Sequence, residues 1–527
     1  MESLTRSTSW LLRAVVLLSA YLLAFAAAAQ PIVRFDTVGL SDDLGGPEIL
    51  TRPQLNRRGD VLIASQRALY LRPAGASLRR LARQSFSRDP EPGDFSALRA
   101  VRLSDEGRVF GRFDSTGFTG SQPTGIYATG ASGALDLLVG VGEPVVGSDA
   151  TIDFLLGAND LEAGVLDLAA SIRAPSLFPH RFGRDYGTAG ALLTRDPAGA
   201  LRLVTREGLA APGTDGSFSR LGASSAIGEG RLLLHANVDR GIFPGATPGF
   251  WLYDRAGNGS LVALAGDAAP GATGMFLRPI VQSDGAEGFT LVSDLLGSGD
   301  PARDAGIWQD RGSGFALRVL EGDPAPGTGG VFGEFPGNPF ESAALAGRLA
   351  FKAALVRGVG GVTDADDEGL WAQDPDGEGF SLVLRKGQDV DGLAPGDVVG
   401  AVGAWDFTDD GRIIAQADVS SGTDASVDTG DALLRIDPDT GFVSVLLATG
   451  DTIEVATGDV RTLAAIDVSA LGFTSSRIAF RADFEDRSSG IIVAIVPEPG
   501  TASLLCVGLV LLARCRRRGF AARSAIR

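Results

Sequence analysis

The residues able to do chemistry are few in this chain. Histidine occurs only at His180 and His235 in 527 residues, so a Ser-His-Asp triad or a histidine-ligated metal would have to use one or both. His235 falls inside the apolar run Leu232-Leu-Leu-His-Ala236 and reads as a packed or half-exposed strand residue. His180 lies in a loop-like insertion, Ala174 to Tyr186, close to Phe178 and Phe182. That stretch is long enough to reach over a surface and take part in binding, although an ordinary irregular loop explains it as well. Carboxylates are plentiful. Asp364-Ala-Asp366-Asp367-Glu368 and Asp374-Pro-Asp376-Gly377-Glu378 offer turn-borne oxygen ligands of the kind calcium takes. Calcium is therefore the one cofactor these residues could hold, but neither run has EF-hand spacing and each reads first as a solvated acidic loop. Glycoside hydrolysis needs two carboxylates held several ångströms apart in one pocket, and no segment stands out as carrying them. The glycine-rich stretch Arg357-Gly-Val-Gly-Gly361 lacks a phosphate-loop lysine. No catalytic, cofactor-binding or metal-ligating residue is assigned.

The elements that would position these residues repeat along the chain. Glycine is abundant, at 72 residues, and short runs of Val, Leu, Ile and Phe alternate with Gly, Asp and Pro, the pattern of short strands joined by turns. The clearest punctuation is Gly266-Asp-Ala-Ala-Pro-Gly271 and Gly322-Asp-Pro-Ala-Pro-Gly327, with Gly208-Leu-Ala-Ala-Pro-Gly213 close behind and weaker copies starting at Gly142, Gly387 and Gly450. A degenerate copy stands at Asp89-Pro-Glu-Pro-Gly93. The recurring Asp267, Asp323 and Asp451 suit local capping of backbone N–H groups. A second motif launches a central strand, as in Asn56-Arg-Arg-Gly59, Ala346-Gly-Arg-Leu-Ala-Phe-Lys-Ala353 and Asp410-Gly-Arg-Ile-Ile-Ala-Gln-Ala417. A third gives Gly249-Phe-Trp251, Gly306-Ile-Trp308 and Gly369-Leu-Trp371. Exposed tryptophans can stack on sugars, but their registration with the repeat points to packing between units.

Four strands per unit, repeated about eight times, predict an all-β protein: a β-propeller of seven or eight four-stranded blades, with a sandwich array or solenoid as the alternatives. One detail favours a closed ring. The last unit reaches Pro497 without a fourth strand, while Ile32 to Asp36 is a spare strand before the first unit. The N-terminus could complete the last blade and leave no sheet edge open.

The ends read as targeting segments. Arg6 and Arg13 precede and enter an apolar stretch from Ala14 to Ala29, and Ala27 and Ala29 before Gln30 supply the small residues of a signal-peptidase site. At the other end Pro497-Glu498-Pro499 leads into the apolar run Ala502 to Ala513, followed by Arg514, Arg516, Arg517 and Arg518. A dozen apolar residues are short for a permanent span, and the clustered arginines stop translocation with the basic side in the cytoplasm. The only cysteines, Cys506 and Cys515, lie in or beside this run, so the region before it holds no disulfide and no thiol nucleophile.

This tail resembles a PEP-CTERM sorting signal: a Pro-Glu-Pro motif, a short hydrophobic helix and an arginine cluster. The resemblance implies recognition by an exosortase, cleavage near the motif, and delivery to the cell surface or extracellular matrix of exopolysaccharide-making Gram-negative bacteria. The tail departs from that pattern in continuing to Arg527. The repeats resemble the NxxGxxAF tandem repeats of bacterial surface proteins, with the asparagine often replaced; that family implies no activity.

The expected organisation is a signal peptide (1–29) with a signal helix, a repetitive propeller-like ectodomain (30–496), the sorting signal (497–518) with its short hydrophobic helix, and a cytoplasmic tail (519–527). The net charge is −17, and the two ends carry eight arginines against Glu2, which leaves about −24 on the mature domain. Such acidity repels nucleic acid and anionic lipid overall and tolerates neutral glycans, cations or basic partners. The expected partners are signal peptidase and exosortase during processing, an exopolysaccharide or other envelope component afterwards, no nucleic acid, and the membrane through the C-terminal segment before processing. The expected function is a non-catalytic binding or structural role on the cell surface or in the matrix. The alternative is a polysaccharide hydrolase or lyase using channel carboxylates.

Overall fold

The computed structural model describes residues 34–496 except 41–52, 66–67, 85–93, 115–123, 131, 163–164, 175–186, 228–230, 241–245, 255, 284–287, 313, 336–341, 346, 422–427 and 475. Every named element in it is a β-strand. The signal peptide, Ala27, Ala29, Gln30, the Pro497-Glu498-Pro499 motif, the C-terminal apolar run, the arginine cluster and His180 lie outside the described residues. Among the described residues no helix is long and apolar enough to cross a membrane.

The strands form eight sheets, each built round a meander of four antiparallel strands, and in the first sheet Asp94–Phe95 adds a short parallel strand beside Arg79–Gln84. Blade 4 shows the plan: Ser217–Ala226 innermost, then Leu232–Asp239, Thr247–Tyr253 and Gly259–Leu264. Seven blades are continuous in sequence. The eighth takes Asp459–Phe473, Arg477–Phe484 and Ser489–Ile495 from the end of the chain and Arg34–Leu40 from its beginning. Arg34 pairs with Ile495 and Leu40 with Gly490. The spare N-terminal strand thus closes the ring, and the blade count is eight.

Sheets must bury both faces, and here each face is buried against a neighbouring blade. The buried apolar residues fall into eight clusters, one at each junction round the ring. At the closing junction Val61, Ile63 and Tyr70 of blade 1 pack on Val38, Ala479, Ile491 and Val493 of blade 8. At a typical one Leu233 and Phe250 of blade 4 meet Phe276, Leu291 and Trp308 of blade 5.

The repeat motifs have direct geometric causes. In Gly266-Asp-Ala-Ala-Pro-Gly271 both glycines sit at positive φ, 88° and 77°, and the same holds for Gly322 and Gly327; side chains rarely tolerate that region. The turn presents its proline carbonyl to the tryptophan of the same blade. Trp251, Trp308 and Trp371 donate their indole N–H to the carbonyls of Pro212, Pro270 and Pro326 at 2.9, 2.8 and 3.0 Å. Phe218, Phe276 and Phe332, just after each turn, meet the same indoles edge-on at about 5 Å. The glycine two residues before each tryptophan shares its face and makes room for it. A Cβ on Gly306 would stand 2.9 Å from the Trp308 ring and 3.0 Å from the Val319 carbonyl. The tryptophans are therefore completely buried, which leaves none of them to stack on a sugar.

The central-strand motif also carries a polar position that reaches the next blade. Lys352 Nζ donates to the Val402 carbonyl at 3.0 Å while Glu368 accepts the Val402 N–H at 2.8 Å. Gln416 and Asp431 hold the carbonyl and N–H of Ile466 in the same way, at 2.8 and 3.0 Å. Arg112 donates to the Leu155 carbonyl at 2.6 Å. These bonds satisfy innermost strands whose ladders are broken by bulges, such as those flanking Val402. Where the motif's asparagine is replaced, Ser104 and Thr408 do its work, their hydroxyls and carbonyls capping the turns that carry Gly107 and Gly411.

Replacing Gly306 by Ala is expected to cost about 1–3 kcal/mol through overpacking, measured by denaturant unfolding. The penalty should shrink in a Trp308→Leu background, which vacates the space; an unchanged penalty there would place the strain elsewhere.

Candidate functional site

A four-stranded meander sorts its connections onto two faces of the ring. The hairpin face carries the turns between first and second strands and between third and fourth. The crossover face carries the loops between second and third strands together with the Gly-Asp-x-Ala-Pro-Gly turns that lead to the next blade. Long second-to-third connections, including 297–304 and 355–367, gather on the crossover face. Loops on a rigid scaffold are the usual carriers of binding residues, so the crossover face is the candidate functional surface.

The two acidic runs part company. Asp374 to Glu378 forms a hairpin-face turn in which Asp374 accepts the Ser381 hydroxyl and Asp376 the Glu378 N–H. Asp364, Asp366 and Asp367 lie on the crossover face, where cations engage all three. Arg357 pairs with Asp364 at 2.7 Å and with Asp367. Arg385 pairs with Asp366 at 2.7 Å and Lys386 with Asp367 at 3.0 Å. Burial opposes ionisation of Asp367, but hydrogen bonds from Lys386 and Arg357 outweigh it and hold the carboxyl below the usual range. Among the described residues no three metal-ligating side chains converge on a point that would hold an ion. The turn aspartates bind local backbone: Asp323 and Asp451 accept the N–H groups of Leu320 and Ala448 at 3.0 and 2.8 Å. His235 packs on Phe250 with ring centres 4.9 Å apart, and burial lowers its pKa.

Sequence reasoning passed over a carboxyl group beside one of these turns. Glu321 precedes Gly322 and is 8% exposed. Burial, helped by the carboxyls of Asp304 and Glu334, pushes its pKa up to about 7. Its Oε2 accepts the Asp304 N–H at 3.3 Å. Glu207, at the matching place before Gly208, accepts the Gly190 and Leu221 N–H groups at 2.9 and 3.3 Å. Both glutamates thus brace the entry of a third strand. Asp406, on the innermost strand of blade 7, is raised to about 6 by burial, against a hydrogen bond from the Phe407 N–H. The two carboxyls of raised pKa sit on blades 5 and 7, which are not neighbours, and Glu321 is enclosed.

Strand order and closure define an eight-bladed β-propeller. Residues 61–399, from the second strand of blade 1 to the innermost strand of blade 7, match the model of a family of unknown function, DUF7453. The match spans more than half of the chain, and the protein belongs to that family. No curated protein matches it. Solved structures similar to it include acylaminoacyl peptidase from Pyrococcus horikoshii, with 11% identity, a TM-score of 0.39, and coverage of 76% of this chain and 52% of the peptidase. The chain thus spans about half the length of that enzyme. The periplasmic gluconolactonase PpgL of Pseudomonas aeruginosa is similar at 15% identity and a TM-score of 0.27, over 79% of this chain and 98% of that one. A PL25 ulvan lyase is similar at 8% and 0.28, over 64% and 78%. Likenesses this distant carry no argument about activity.

The raised pKa of Glu321 has a definite sign. An acid that binds its proton more tightly when folded contributes fully below its unfolded value, near 4.5, and that contribution is lost as pH climbs through about 7. Glu321→Gln keeps an acceptor for the Asp304 N–H and removes the titration. It should lose roughly 1–2 kcal/mol less stability than the parent between about pH 5 and pH 8. Identical pH profiles in urea unfolding would show that Glu321 is not linked to stability.

Proposed function

We propose that the protein is exported, sorted by an exosortase through its C-terminal signal, and displayed at the cell surface or in the extracellular matrix as a non-catalytic binding or structural propeller. The observation that carries this reading is the way the two ends of the ring leave it together. Arg34 and Ile495 are paired neighbours, so the segment from the signal-peptide side and the segment leading to Pro497-Glu498-Pro499 emerge at one corner of the hairpin face. A tail leaving there tethers the hairpin face and leaves the loop-bearing crossover face pointing away from the anchor. That is the arrangement expected of a displayed binding surface, with exopolysaccharide or another envelope component as the partner class. The scarcity of histidine and the cation-paired carboxylates of the crossover face support binding or scaffolding over hydrolysis.

Intact-mass analysis of the protein from its native envelope and medium tests this, in parallel with a strain lacking the exosortase. A species starting near Gln30 and ending between Pro497 and Pro499, found only with the enzyme present, is the expected outcome. A species keeping Leu504 to Arg518 in both strains would overturn the sorting reading.

A further inference from the structure

The strongly acidic chain hides one basic sector, and it lies where the ends emerge. Residues 53–84, which build blade 1, contain seven arginines and a single acid, Asp60. Asp60 is turned inward, with its carboxylate spent on the Asn56 side chain and the Ala74 N–H. Arg83 pairs with Asp94 at 2.8 Å at the far end of the outermost strand, and five of the others collect on the hairpin face. Arg57 and Arg58 form the turn between the first two strands, with side chains 70% and 62% exposed. Arg79 and Arg80 open the outermost strand, and both are exposed. Arg72 ends the third strand and pairs with Asp36 of the closing strand at 2.8 Å. Arg477, from blade 8, donates to the Arg58 carbonyl at 3.2 Å. A recess opens among these groups, lined by Asp36, Gly59, Arg72, Arg477, Val493 and Ile495.

The patch has acidic neighbours. Arg57 lies 3.5 and 3.8 Å from Asp105 and Asp409, while Arg58 lies 3.8 Å from Asp60 and donates to the Glu106 carbonyl. Arg79 and Arg80 have no acidic partner among the described residues.

We propose that this basic corner of blades 1 and 8 docks on an anionic lipid surface, with the hairpin face against the membrane. The proposal rests on the tethered reading above. Two observations identify the occupant. One is charge complementarity, carried by the exposed Arg79 and Arg80, which have no acidic partner among the described residues, beside Arg57 and Arg58. The other is reach: between Val496 and the apolar run that begins at Ala502 only five residues intervene, at most about 20 Å when extended. While the tail is in the bilayer, the corner it leaves from is held within that distance of the headgroups. The tether lets the corner close the remaining gap to within a Debye length of about 10 Å, and there each arginine adds roughly a factor of five in binding.

The test is vesicle flotation of the full chain on phosphatidylcholine, with and without one third phosphatidylglycerol, at low and high salt. The arginines of the two ends, Arg514, Arg516, Arg517 and Arg518 among them, also favour anionic vesicles, so the corner is read from the difference between the parent and a variant that keeps those ends. The parent is expected to prefer anionic vesicles at least ~tenfold more strongly than the variant R57Q/R58Q/R79Q/R80Q at low salt, and the difference should vanish at high salt. A control variant, R278Q/R303Q, removes two arginines from outside the patch and should keep the preference. Thermal melts of both variants check that the ring is intact. Equal partition into the two vesicle types, an unchanged preference in the quadruple variant, or stronger retention on duplex DNA than on vesicles would each overturn the proposal. Failure of the mass measurement would remove the sorting reading and leave the vesicle preference standing, so the two failures can be told apart.

Discussion

The pairing of Arg34–Leu40 with Ser489–Ile495 is the constraint on which the rest of the molecule depends. Every blade buries its two faces on its neighbours, and the cluster between blades 1 and 8 exists only while the ring is shut. An open ring would expose the faces of blades 1 and 8 together with a free strand edge, the usual template for aggregation. Closure joins residues more than 450 positions apart. Its entropic cost grows only with the logarithm of the loop, but it cannot begin until the last blade exists.

Much of this fold was legible because its motifs solve steric problems that few residues can solve. Positive φ at both ends of a turn calls for glycine, and an indole lying over the backbone two residues away calls for another. Gly266, Gly271 and Gly306 therefore recur with the unit, and the buried Trp308 recurs with them. The closing strand was legible as an arithmetic remainder, one strand short at Pro497 and one spare before the first unit. The innermost strands were not. Bulges in Asp397–Phe407 and Asp459–Phe473 break the alternation that marks a strand, and their backbone is completed by Lys352, Glu368, Gln416 and Asp431 from the preceding blade.

The candidate site was legible only in outline. The crossover turns could be located from glycine and proline, but not that Asp364, Asp366 and Asp367 would each meet a cation. Nor does composition reveal that Glu321 is enclosed beside Asp304, since that depends on how the 297–304 loop returns to the blade. The arginines of blade 1 were in plain view, and the net charge of −17 averaged them away.

The closing seam also decides how the propeller responds to being pulled. The tail continues from Ile495, the end of a strand held on one side by Arg477–Phe484 and on the other by Arg34–Leu40. Tension along the tail runs parallel to that strand and perpendicular to its hydrogen bonds, so both ladders are loaded in shear at once and cannot be peeled bond by bond. A strand at a sheet edge, tugged outward, would unzip. A pull on the C-terminal end of Ser489–Ile495 is therefore taken up in the middle of the last blade, at the point where the sheet resists best.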